Sequence, residues 1–265
     1  MVIVDSSTYK NFIREINGSE VFIDYVLRKS SIHTANNTPS VVFVKNIKSG
    51  VTYVINVDHQ DIKPVNVDIF KLVDLVIQLT TETFVVDKKK FLNLFKNRNV
   101  SDILIFDFQR GYEITDLKEL QTECHTRLQN QFGENYIDLN LVIPMAKHIE
   151  RFESTFKFFS DSCQDFELDY SFEMMNGVIT ETLSEVECNG IHIDTEVFNQ
   201  HFGFRGLIET EQRVFSEYNL FTSTGRPSNR FAKVNYAALN KDNGCRSAFT
   251  SRFGENGVLL GFDYR

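Results

Sequence analysis

The chain has 265 residues, enough for one large domain or two ordinary ones. Its 42% hydrophobic and 24% charged content is that of a soluble globular protein. A formal net charge of −8 excludes general polyanion binding by the whole chain, so any nucleic-acid contact must rest on locally concentrated positive charge.

In chain order, the first half reads as mixed α/β. SVVFVKNI (40–47) is a β-branched and aromatic run, Lys48-Ser49-Gly50 a turn, and VTYVINVD (51–58) a second strand, so a hairpin is expected. Residues 66–80 place Ile69, Leu72, Val73, Val76 and Leu79 near helical spacing. TFVV (83–86) reads as a short strand, 88–99 as an amphipathic helix and DILIFDF (102–108) as a buried strand. Alternating strands and helices imply a sheet with at least one crossover. From about Leu117 the character becomes helical. Residues 143–160 put Ile149, Phe152, Phe156 and Phe159 on one face, and 171–188 do the same with Phe172, Met175, Ile179, Leu183 and Val186. Asn189-Gly190 stops the second helix, IHID follows as an extended segment, and a further short helix is expected over 206–217. The tail from Thr222 is basic and turn-rich, and ends in the apolar strand VLLGFDY (258–264).

Cys124, Cys163, Cys188 and Cys245 form no CxxC pair and lack zinc-finger spacing with histidine, so they read as isolated thiols of a cytosolic protein. MVIVDSSTYK lacks the basic and apolar regions of a signal peptide, and no apolar run approaches the ~18 residues that cross a bilayer. A soluble, cytoplasmic protein with no membrane partner is expected.

The tail carries the functional signal. Residues 222–252 hold Arg226, Arg230, Lys233, Lys241, Arg246 and Arg252 against the single acid Asp242. Those six cations and one acid make the segment +5, which leaves −13 on the rest of the chain. Thr224, Ser228, Asn229 and Asn235 are interleaved with the arginines, and hydroxyl, amide and guanidinium groups are those that hydrogen-bond phosphate and sugar oxygens.

TSTGRPSNR (222–230), Asn235, Arg246-Ser247-Ala248-Phe249 and VLLGFDYR (258–265) occur in the order in which family A DNA polymerases, the bacterial DNA polymerase I type, open their polymerase domain. The tail resembles that stretch throughout 222–265. More loosely, 175–198, with Glu187, Asn189, Gly190, Ile191 and Asp194, is similar to the helix and turn that precede the thumb. Only 27 residues separate Asp194 from Thr222, so the resemblance implies a phage-like enzyme with a reduced thumb. It implies primer-template DNA as partner, contacted by Thr224, Arg226, Ser228, Asn229, Arg230, Asn235 and Arg246, and dNTP and Mg²⁺ as substrate and cofactor of the complete enzyme. Asp263, closing an apolar strand, is the implied catalytic metal ligand. Nucleotidyl transfer uses two metals held by several carboxylates. The family's second carboxylate and nucleotide-binding lysine lie downstream of Asp263, so this chain alone is expected to be inactive and to need a C-terminal polymerase half.

The family often carries an RNase H-like 3′→5′ exonuclease domain before the polymerase, which residues 1–145 faintly resemble. Such a domain needs D-x-E on its first strand, and SVVFVKNI offers Lys45 and Ile47 there. DKKKFLNL (87–94) offers Asp87 but no convincing aspartate at the equivalent helix position, and Asp107 and Asp138 read as structural acids. The expected organisation is an α/β, RNase H-like but degenerate exonuclease-like mixed-sheet domain over 1–140. A helical connector and reduced thumb follow over 141–220, and the start of the palm over 221–265. The alternatives are a non-catalytic DNA-binding replisome accessory protein and a 3′→5′ exonuclease with a rearranged metal site.

Overall fold

The computed structural model describes residues 1–28, 37–102, 143–162, 170–203, 207–208, 212–219, 227–229, 234–240 and 242–259. The chain divides into two compact units, Met1–Glu181 and Thr182–Arg265.

The first unit is α/β, built on a six-stranded mixed sheet. Its elements in chain order are β1 (Val2–Ile3), α1 (Tyr9–Ile16), β2 (Glu20–Arg28), β3 (Thr38–Asn46), β4 (Thr52–Asn56), α2 (Ile69–Leu79), β5 (Glu82–Val85), α3 (Lys88–Phe95), β6 (Ser101–Asp102) and α4 (Met145–Ser162). Helix α5 (Tyr170–Asn189) runs through the division between the units. The strand order is β1-β4-β3-β2-β5-β6. Strands β2, β3 and β4 form an antiparallel meander, β5 adds parallel to β2, β6 parallel to β5, and β1 parallel to β4. Parallel addition requires a crossover, and α2 and α3 supply the two needed by β5 and β6.

Both faces of this sheet are covered, so its strands are apolar nearly throughout instead of alternating. On one face Val21, Ile23, Val42, Val44 and Ile55 pack with Phe12, Leu72, Val76 and Phe91 from α1, α2 and α3. On the other, Phe22, Val26, Val41, Phe43 and Val54 receive Met145 and Phe152 of α4. Phe152 stacks on Phe43 at 5.1 Å between centroids and lies 5.5 Å from Phe22. Burying such a ring contributes about 1.5–3 kcal/mol. Helix α2 starts where Asp68 accepts from the N–H groups of Phe70 and Lys71. The N-terminus of α4 is fixed by Asp61, whose Oδ2 accepts from Met145 N–H at 2.8 Å.

The hairpin, the helices α2, α3, α4 and α5 and strand β5 fall where the sequence pattern puts them. Strand β1, helix α1 and strand β2 precede the hairpin and have no counterpart in that pattern. Asp24 interrupts the apolar run of β2, and a strand buried on both faces has no period of two to announce it. The meander therefore opens on β2, not on 40–47. Of DILIFDF only Asp102 lies within the described residues, and Asp107, Asp138, Cys124 and Cys163 fall outside them. Cys188 and Cys245 are not joined in a disulfide.

Among its described side chains, from Gly177 on, helix α5 does not bury the expected face. Ile179 and Val186 are exposed, and the buried residues are Thr180, Ser184 and Glu187, one polar stripe at helical spacing. Glu187 explains part of this, because its Oε1 accepts the backbone N–H of Tyr218 at 2.7 Å.

In the second unit a three-stranded sheet pairs β7 (Ile191–His192) with β9 (Arg213–Val214), and β9 with β8 (Leu207–Ile208). The helix expected over 206–217 is absent from its described part, which holds β8 and β9. Gln212 immediately before β9 has φ +48°, which a helix interior does not accept. The helix lies earlier, as α6 (Thr195–Phe202), capped by Asp194, whose Oδ1 accepts from Glu196 and Val197. A second sheet pairs β10 (Tyr218–Asn219) with β11 (Ser228–Asn229). The core here is small: Ile193, Phe198, Val214 and Ala248, with Phe202, Tyr236 and Phe249 against them. Gly190, at φ +65°, must be glycine, since a Cβ there would stand 2.9 Å from the Val214 carbonyl oxygen. The described part of the final apolar run, Val258 and Leu259, is neither strand nor buried.

Candidate functional site

Two places concentrate chemistry-bearing side chains. In the first unit, α4 lies on the sheet through two crossed ion pairs. Asp24, central in β2, meets Arg151 of α4 at 2.7 Å. Lys45 of β3 is buried, and its Nζ lies 2.7 Å from Glu153 Oε2, 3.2 Å from Thr52 Oγ1 and 4.7 Å from the Phe156 ring centre. Thr52 Oγ1 donates to the other Glu153 oxygen at 2.5 Å. The sheet thus offers one anion and one cation, and the helix offers the complementary pair two residues apart.

The electrostatics follow from that placement. Burial works against ionised Glu153, but the Lys45 and Thr52 hydrogen bonds outweigh it and hold its carboxyl below the usual range. Burial also opposes ionised Asp87 at the N-terminus of α3, where the Lys90 and Lys89 ammonium groups and the Lys90 N–H prevail and lower it. Burial first, then the carboxylates of Asp87 and Asp24, push the Tyr25 phenol up. Arg151 acts on Tyr25 in the opposite sense.

Of the D-x-E positions expected at Lys45 and Ile47, Lys45 lies on the second strand of the meander and Ile47 in the turn just after it. On the strand that opens the meander, β2, the residues in that relation are Asp24 and Val26. Sequence reasoning missed Asp24 and Arg151; a lone acid inside an apolar run, with an arginine far along the chain on a helix, was the available signal.

In the second unit, the tail residues singled out by sequence fall into two sets. Thr224, Arg226, Arg230 and Asp263 lie outside the described residues. Ser228, Asn229, Asn235 and Arg246 lie within them and meet around one turn. Asn229 is buried and its Oδ1 accepts the Tyr236 N–H at 3.1 Å, fixing the start of the short 3₁₀ turn Tyr236–Ala238. Arg246, exposed, donates to the Leu239 carbonyl at 3.1 Å and fixes its end. Ser228 and Asn235 are exposed. Burial pushes the Tyr236 phenol up to about 12.

Among the described residues, no group of three or more His, Cys, Asp or Glu side chains is placed to hold a metal ion. Also among them, no helix is long and apolar enough to cross a membrane. Compared with protein-family models and with curated proteins, the chain matches none.

Proposed function

We propose that this chain is the N-terminal part of a DNA-directed DNA polymerase of the family A type. It comprises a catalytically silent exonuclease-like unit, a reduced thumb and the opening of the palm. The observation that carries the reading is the ordered set TSTGRPSNR, Asn235, Arg246-Ser247-Ala248-Phe249 and VLLGFDYR within a segment of net charge +5. The tail binds the sugar-phosphate backbone of primer-template DNA through Thr224, Arg226, Ser228, Arg230, Asn235 and Arg246. Asn229, buried, accepts the Tyr236 N–H and so shapes the short turn that follows Asn235 and that Arg246 closes. Asp263 holds Mg²⁺ in the complete enzyme, where further carboxylates and the dNTP phosphates complete the ion's coordination.

The first unit has a sheet order compatible with an RNase H-like domain: a three-stranded antiparallel meander with two parallel strands added beside its first member. Its silence is supported by β2. Val26 has no ligand atom, and Asp24 already has a cation in Arg151. A labelled single strand incubated with the chain and Mg²⁺ or Mn²⁺ is expected to stay intact; metal-dependent 3′→5′ trimming that copurifies with the chain would overturn the silent reading.

The test of the whole proposal is primer-template affinity across a salt series. Phosphate contacts release counterions, so log affinity falls linearly with log salt and is nearly blind to sequence. Salt-independent affinity, or no binding at low salt, would refute the assignment.

A further inference from the structure

The loop Thr250–Val258 carries an exposed aromatic ring on an unusually closed turn. Phe253 is 62% exposed. The Arg252 guanidinium lies over its ring, 4.8 Å from the centroid. The ring does not sit on a floppy tip. Gly254 N–H donates to the Ser251 carbonyl at 3.0 Å, Asn256 N–H to the Phe253 carbonyl at 3.2 Å, and Gly257 N–H to the Gly254 carbonyl at 3.1 Å. Phe253 N–H also donates to Ser251 Oγ at 3.2 Å. The turn is so tight that a Cβ on Gly257 would fall 2.1 Å from Ser251 Oγ and 2.8 Å from the Phe253 Cβ. The base of the loop is tied to the unit's core: Thr250 N–H donates to the His192 carbonyl at 2.9 Å, and Phe249 packs against Phe198, Phe202 and Tyr236.

A hydrogen-bonded loop that holds an aromatic ring out to solvent, with a guanidinium over one face of the ring, pairs an apolar surface with a positive charge. The ligand matching both is a nucleobase with its phosphate, since every base has a π-face and every nucleotide an anion. The loop overlaps the end of the +5 segment at Arg252 and also holds Glu255, so the positive charge that favours a polyanion beside it is that of the segment.

We infer that Phe253 is a stacking platform for an unpaired base of single-stranded DNA, with Arg252 engaging the adjoining phosphate. This rests on the DNA-binding reading of the tail and adds to it a preference for single strands at one defined residue.

The probe is a labelled oligo(dT), compared with a blunt duplex of the same length, by fluorescence anisotropy at low salt. Phe253→Ala is expected to weaken oligo(dT) binding by about 5- to 150-fold, the range for losing one base stack, and to leave duplex affinity unchanged. Phe253→Trp keeps the π-face and is expected to bind as the parent does. Phe253→Leu keeps the apolarity without the π-face and is expected to behave like alanine. The side chain is exposed, so all three variants are expected to melt with the parent protein. If Phe253→Ala keeps parental oligo(dT) affinity while the duplex still binds in a salt-dependent way, the platform is wrong and the tail reading stands. If leucine binds as well as phenylalanine, stacking is refuted. If the parent chain binds neither probe, both readings fall.

Discussion

A carboxylate set in a sheet beneath a helix needs a cation within reach, and Arg151 supplies it to Asp24 at 2.7 Å. Removing one member of a buried pair leaves the other charged and uncompensated, which costs about 3–5 kcal/mol. The Arg151 side chain keeps 20% of its exposure, so Arg151→Leu is expected toward or below the low end, at about 2–3 kcal/mol in urea unfolding. Asp24→Asn with Arg151→Leu removes both charges and is expected to cost less than Arg151→Leu alone. A double variant as unstable as the sum of the singles would show that the two groups do not interact. Asp5 gives a pH prediction of opposite exposure. The Ser7 hydroxyl, then the Thr8 and Ser7 N–H groups, hold its carboxyl at about 2, against 3.8 ordinarily. The folded-state value is depressed, so this contribution is fully present above about pH 4 and is lost as pH falls toward 2. Carboxyl-carbon chemical shifts followed from neutral pH downward should place the Asp5 midpoint well below the exposed aspartates; a midpoint near 3.8 would contradict the turn geometry.

At the scale of elements, local chemistry decides where helices begin and tertiary contact decides which face they bury. Asp194 caps α6 with two backbone N–H bonds at 3.0 and 3.1 Å, and its own N–H donates to the Ala248 carbonyl. Asp194→Ala keeps that backbone bond and loses the cap, so it is expected to cost about 1 kcal/mol, measured as a shift in the unfolding midpoint. No shift would mean that α6 is held by Phe198 and Phe202 alone. Helix α5 shows the other rule. Its hydrophobic residues trace a stripe, but two of them, Ile179 and Val186, face solvent while Glu187 is fully buried. A buried acid is tolerated because the Tyr218 N–H occupies one of its oxygens.

At the scale of the whole molecule, charge is unevenly distributed: residues 222–252 carry +5 and the rest of the chain −13. An acidic chain with one +5 segment should bind DNA through that segment alone. Arg226→Ala is expected to weaken primer-template binding by about 1–3 kcal/mol, the usual loss for a charged hydrogen-bonding partner. The salt slope should also fall by about one counterion. An Arg226→Ala protein with the parental slope would place the phosphate contacts elsewhere.

Elements whose signals are local are legible in the residues alone. The hairpin around Lys48-Ser49-Gly50, the amphipathic α2, and the stop at Gly190 each depend on residues within a turn or two of one another. The ordered tail motifs were equally legible, because residue identity and spacing are all they consist of. Whatever needs a distant partner becomes visible only in the folded chain. Strand β2 reads as a strand once both faces are covered, and Asp24 within it becomes acceptable once Arg151 arrives from a helix 127 positions later. Lys45 has a place in the interior only because Glu153 and Thr52 surround its ammonium. Burying a charge depends on the far residue that neutralises it, and no pattern of neighbours along the chain records that residue.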